Sequence, residues 1–169
     1  MGQRLADAAS DLRGTPFFRN GRSRTGVDEI GFILVAGEMA GCKFPDLVRF
    51  ARNADHPEPR LIAWLGMFAD RVELDDREAG DILIVRHNQK QMGDCAIPAV
   101  AVNIGNYPNP ARTISSVAMV WPECQAAYYF PTAFRDIARF RVPDSARRGA
   151  ALNGALVDIA AAGFGGAAA

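Results

Sequence analysis

The twelve residues between Asp28 and Gly41, EIGFILVAGEMA, limit most strongly what this chain can fold into. They predict a helix from about Glu29 to Ala40. Asp28 is a good N-cap, because its carboxylate can accept from the unpaired N–H groups of the first turn. Gly41 closes the other end. Ile30, Ile33, Leu34 and Gly37 give the helix a strongly apolar face, so it belongs in a core. Its interior glycines, Gly31 and Gly37, weaken helix propensity, and close packing against a sheet is the expected reason for them.

The other elements follow from periodicity. Leu5, Ala8, Ala9 and Leu12 recur at helical spacing, and Gly14 stops that first helix. Thr15 to Val27 is a Gly- and Arg-rich loop. Phe44 to Ala54 predicts a short helix broken by His56-Pro57-Glu58-Pro59, and Pro59 to Ala69 a further one with Leu61, Ile62, Leu65 and Phe68 as its stripe. The period then changes. Arg71 to Leu74 alternates, and Gly80-Asp81 introduces a buried strand, Ile82 to Val85. Asn88 to Gln91 is a hairpin-like connection and Cys95 to Ile104 is β-like. Asn106 to Pro110 is a turn. Strands follow over Thr113 to Trp121, Ala126 to Phe130 and Phe134 to Val142, with Phe140 and Val142 on one face. Helices first and antiparallel strands second predict an α+β fold, with helices packed on one side of a small curved antiparallel sheet.

A chain of 169 residues fits one domain with a real core. Nineteen basic residues balance nineteen acidic ones, so no global charge drives binding to nucleic acid or a membrane. The local arginine groups (Arg19, Arg22 and Arg24, and a later one from Arg135 to Arg148) are expected on solvated faces and in salt bridges. Cys42, Cys95 and Cys124 lie far apart, which predicts buried reduced thiols rather than a disulfide framework or zinc site. The first residues lack the apolar run of a secretory signal. With no Gly-rich phosphate loop, no His-Glu-x-x-His and no base-reading motif, no cofactor, metal or nucleic-acid partner is expected.

From Asp144 the composition shifts to Ala and Gly. Leu152, Leu156, Ile159 and Gly163 fall at helical spacing, with Phe164 next to them. Asn153 and Asp158 oppose a membrane span, because one central Asp costs about 2.5–3.5 kcal/mol on insertion. The expectation is a domain over 1–143 and a tail over 144–169 that docks on a partner through Leu152, Leu156, Ile159 and Phe164.

Several segments together resemble the NlpC-type cell-wall cysteine peptidase family, which has a papain-like fold. They are Gly14-Thr15-Pro16-Phe17, Gly21-Arg22-Ser23-Arg24-x-Gly26-Val27-Asp28, Gly80-Asp81-Ile82-Leu83 and Ala96-Ile97-Pro98. The ending Phe134-Arg-x-x-Ala-Arg-Phe-Arg-Val-Pro143 is similar to members carried at the tail tip or baseplate of tailed phages and gene transfer agents. Active members cut peptidoglycan crosslinks. The resemblance places the catalytic Cys directly after Val-Asp and the His at the start of the strand after Gly-Asp-x-Leu. Here Glu29 holds the first position and Asp94 the second, or Met92 or Gly93 in an alternative register, none of them a base of the right kind. The polar residue that orients the His would fall near Ser115 or Ser116.

A carboxylate cannot replace a thiolate in papain-like acyl transfer, which needs a nucleophilic sulfur at a helix N-terminus and a base beside it. Glu29 and Asp94 are therefore relic positions, and no catalytic residue is expected. Glu29 in a first helical turn is also favourable by about 0.3–1 kcal/mol for its charge alone. Two facing carboxylates could share a proton or hold a metal, and Cys124 could be a displaced nucleophile, although no base for it is evident. His56 and His87 match no family position and read as solvent-facing. What the resemblance implies is a structural protein of a phage or phage-like tail tip, assembled in the bacterial cytoplasm and located in the virion tail. Its partners would be other hub proteins and peptidoglycan stem peptides. The alternative is an active peptidoglycan peptidase that helps the tail cross the host wall.

Overall fold

The computed structural model describes residues 1–47, 57–87, 99–107, 114–119, 126–129 and 134–144. Among these residues are three helices, α1 (Gly2–Asp11), α2 (Glu29–Met39) and α3 (Pro57–Leu65), and a small hairpin, β1 (Arg22–Ser23) with β2 (Gly26–Val27), lies between α1 and α2. Six further strands follow: β3 (Asp70–Val72), β4 (Ile82–His87), β5 (Ala99–Tyr107), β6 (Ile114–Met119), β7 (Ala127–Tyr129) and β8 (Phe134–Arg141). They form one antiparallel sheet in the order β3-β8-β4-β5-β6-β7. The last strand thus inserts between β3 and β4, with Ile82 opposite Phe140 and Leu83 opposite Arg139. The α+β class expected from the sequence is the fold observed.

One apolar core joins the helices to one face of the sheet. Leu5, Ala8 and Ala9 from α1 with its C-cap Leu12, Ile30, Ile33 and Ala36 from α2, and Leu61, Trp64 and Leu65 from α3 meet Ile82, Ile84, Val100, Val102, Ala138, Phe140 and Val142. Strand alternation puts these sheet residues on a common face. Phe140 and Val142 share it, as their spacing predicts.

The predicted elements shift in four places. Residues 44–47 are not helical, and Val48 to Ala54 lies outside the described residues. Phe44 precedes a proline, which disfavours helical backbone. Its ring instead stacks on Phe68 at 4.4 Å, and the Pro45 carbonyl accepts the Trp64 indole N–H at 2.7 Å. Helix α3 starts at Pro57, not Pro59, and stops at Leu65. Both prolines fall in the first turn, where the missing N–H has no helical partner to lose. Strand β5 runs through Asn106 and Tyr107, where a turn is expected, because both pair with β6. The loop from Thr15 to Val27 contains the β1–β2 hairpin, whose two-residue strands are too short to show a period. The Asn88–Gln91 connection lies outside the described residues.

The glycines of α2 have a reason different from the one expected. A Cβ on Gly31 would lie 1.8 Å from the Gly21 carbonyl oxygen, and one on Gly37 would lie 2.4 Å from the Phe44 ring. Loop and ring press on the helix there, not the sheet. Propensity alone favours Gly31→Ala by up to about 1 kcal/mol. The contact reverses the sign, so this variant is expected to lose about 1–3 kcal/mol through overpacking. Urea unfolding of the two proteins checks it.

Candidate functional site: the N-terminus of the central helix

The N-terminus of α2 is where Gly-Val-Asp delivers the chain into the core, and Asp28 organises it. Its backbone is extended and its side chain caps the helix, accepting from the Gly31 N–H at 2.7 Å. The other carboxylate oxygen accepts the Asn20 N–H at 3.0 Å. Asn20 has a positive φ of 59°, a conformation Asn tolerates better than most residues. One carboxylate therefore fixes both the helix start and the loop before it.

Arg22 completes the arrangement. Its Nη1 donates to Asp28 Oδ1 at 2.6 Å and to the Gly21 carbonyl at 2.9 Å, while Nε lies 3.1 Å from both oxygens of Asp46. Burial works against the Arg22 charge, but hydrogen bonds and attraction from Asp28 and Asp46 outweigh it and raise its pKa above the ordinary arginine value. A raised cation pKa contributes stability below the unfolded value and loses it only above that range. Arg22 thus stays charged at any working pH.

Glu29 follows in the first turn and is 7% exposed, as is Asp28. This is the position at which the family resemblance implies a thiol. Two adjacent buried carboxylates occupy the helix terminus, and the positive end of the helix dipole favours both. Asp94, Cys95 and Cys124 lie outside the described residues. His56 lies outside them too. His87 ends β4, and the backbones of Ser115 and Ser116 pair with Asn106 and Gly105 in the β5–β6 ladder. Cys42 is buried, as expected for a reduced thiol. Leu152, Leu156, Ile159 and Phe164 lie outside the described residues. Among the described residues, no three His, Cys, Asp or Glu side chains gather as a metal site, and no helix is long and apolar enough to cross a membrane.

The Gly80-Asp81 pair proves structural. Gly80 has φ 85°, and a Cβ there would meet the Gly2 carbonyl at 2.0 Å. Asp81 is buried, accepts the Glu78 N–H at 2.8 Å and takes Arg141 through Nε at 2.8 Å and Nη2 at 3.1 Å. This bidentate pair sews β4 to the end of β8, and Arg141 is held further by Asp76 and Glu78. The arginines expected in salt bridges are paired in this way at Arg22, Arg139 and Arg141. The sequence reading treats Asp28 only as a cap and misses the Arg22–Asp28–Asp46 network. Its one signal is an arginine-rich loop beside aspartates, and the 24-residue separation of Arg22 from Asp46 carries no periodicity.

Comparison with solved structures places the fold. The chain is similar to the NlpC/p60 domain of the peptidoglycan hydrolase SagA, with TM-score 0.54 and 16% identity, over 84% of this chain and 99% of that one. It is also similar to NlpC2 from Trichomonas vaginalis, with TM-score 0.56 and 15% identity over 83% of this chain. A third similar structure is an NLP/P60-family lipoprotein-like protein from Staphylococcus aureus, with TM-score 0.51 and 20% identity over 83% of this chain. The match spans 46% and 40% of the latter two chains, respectively. No family model matches the chain, and no curated protein matches it. The fold is that of an NlpC/p60 domain.

The network makes a graded prediction. Asp28→Ala removes the cap and the Arg22 partner together and is expected to cost about 1–3 kcal/mol. Asp28→Asn keeps an acceptor for Gly31 and costs less. Chemical denaturation of the three proteins reads the order, and equal losses for Ala and Asn would mean that the cap contributes nothing.

Proposed function

We propose that this chain is a structural component of a phage or phage-like tail tip or baseplate, a peptidase-like domain that no longer cuts. The observation that carries the reading is Glu29, a buried carboxylate at the start of α2 in an NlpC/p60 fold. An acyl-transfer nucleophile there must be a thiol whose pKa the helix terminus lowers. A carboxylate at the same place enjoys the same dipole and has no sulfur to offer. In this reading the similarity of Phe134 to Pro143 to tail-associated members supplies the location, the virion tail. Residues 144–169 tie the domain to a neighbouring hub protein through Leu152, Leu156, Ile159 and Phe164.

The alternative is an active peptidoglycan peptidase built on another centre, with Glu29 and Asp94 or Cys124 as the working groups. Muropeptide digestion by the purified chain separates the two. The wild type is expected to be inert, and Glu29→Cys with Asp94→His is expected to gain slow activity. Release of products by the wild type, abolished by Glu29→Gln or Cys124→Ser, overturns the structural reading. The location has its own test. Particles assembled with a chain lacking 151–169 are expected to lose this protein, and full occupancy refutes the anchoring role.

A further inference from the structure

Two exposed patches of opposite charge lie at opposite edges of the sheet, and each holds apolar side chains that the fold leaves outside its core. Among the described residues the exposed large apolar side chains are Phe18, at 67%, Leu74, at 46%, and Met67, at 36%. Phe18 is held rigidly. Its N–H donates to the Val27 carbonyl at 3.0 Å, its carbonyl accepts the Gly21 N–H at 2.8 Å, and Asp28 fixes Asn20 in the positive-φ turn between them. A Cβ on Gly26 would lie 2.8 Å from the Phe18 Cβ, so the β1–β2 hairpin packs on the base of this side chain while most of the residue stays in solvent. Arg19 follows Phe18, and Arg24 stands at the hairpin turn. Both are exposed and join no ion pair among the described residues. Aromatic and arginine side chains dominate the energetics of interfaces, and a loop already ordered by its own fold loses little further freedom on binding.

The second patch borders the edge strand β3, with Met67 before the strand and Leu74 after it. Asp70, Glu73 and Asp75 are exposed, and their side chains join no hydrogen bond or ion pair among the described residues. Beside them Asp76, Glu78 and Asp81 surround the single charge of Arg141, so this edge keeps a negative excess. Asp70, Val72 and Glu78 line a cleft of about 240 Å³. Small-molecule sites take roughly 300–1,000 Å³, so this cleft suits one inserted side chain better. Phe18 belongs to the other end of the sheet. The Thr15 carbonyl accepts the Ala126 N–H at 2.7 Å, immediately before the opposite edge strand, β7. With strands about 4.8 Å apart, the two edges of this six-stranded sheet are separated by about 24 Å, and the patches cannot meet within one chain.

We propose that copies of this chain associate head to tail, with Phe18 of one copy against Met67 and Leu74 of the next, and Arg19 and Arg24 against Asp70 and Glu73. The occupant follows from charge complementarity, because one chain carries both halves of the match. Nineteen basic residues balance nineteen acidic ones, so no net charge drives the copies apart. Acidic side chains on an edge strand also oppose strand-to-strand pairing, and they do so while still accepting a basic partner. A contact between two different patches is heterologous, so it closes into a ring or extends into a filament. The inference stands apart from the tail-tip reading and needs neither a hub nor a lost activity.

Sedimentation of the full chain over a concentration series tests this. The average mass of the wild type is expected to rise with concentration, and to rise less at about 0.5 M than at about 0.05 M salt. Phe18→Ala is expected to weaken association about tenfold or more. Two charge-reversed proteins then identify the surfaces: one carries Arg19→Glu with Arg24→Glu, the other Asp70→Arg with Glu73→Arg. All four positions are exposed, so both proteins are expected to keep the wild-type Tm. Each alone is expected to stay monomeric, and an equal mixture to regain the wild-type assembly, because each tip then meets an edge of opposite charge. A wild type that stays monomeric up to about 1 mM overturns the proposal. So does a mixture of the two folded proteins that stays monomeric. Association by the Asp70, Glu73 variant alone also overturns it, in favour of a symmetric contact between two Phe18 tips.

Discussion

The carboxylate of Asp28 is the interaction on which the rest of the molecule depends. Helix α2 is apolar around most of its circumference and would bury anywhere, so apolar contacts alone do not set where it begins. Asp28 sets that point. It binds the Gly31 N–H inside the helix, the Asn20 N–H in the loop and the Arg22 guanidinium on the hairpin. Through Arg22 the same carboxylate reaches Asp46 beyond the far end of α2. The approach of Gly21 to Gly31 becomes possible only when loop and helix are held at this spacing, and it excludes any side chain at 31. Burial supplies the magnitude of the stabilisation, and the capped network supplies its direction.

Much of this was legible in the sequence because it is local. A cap before an apolar run, a glycine after it and an alternation that begins past residue 70 are patterns of neighbouring residues, and the α+β class follows from their order. What escaped is non-local or too short for a period. The β1–β2 hairpin has two residues per strand. Phe44 to Leu47 carries helix-compatible residues, but Pro45 and the ring contacts with Gly37 and Phe68 override them. The insertion of β8 between β3 and β4 has no local signature, and neither has the bidentate pair of Asp81 with Arg141 that locks it. At the site, Glu29 was readable as a first-turn carboxylate, whereas Asp94 lies outside the described residues.

The start of α2 is fixed by bonds from the residues around position 29. The Asp28 carboxylate, the Asn20 and Gly31 amides and the Arg22 guanidinium do that work. The helix terminus offers the same field to whichever anion follows. A thiolate and a carboxylate are both stabilised there, but only the first is a competent acyl-transfer nucleophile at neutral pH. The capped network that positions α2 is therefore a property of the scaffold, separate from whatever chemistry the residue at 29 supports.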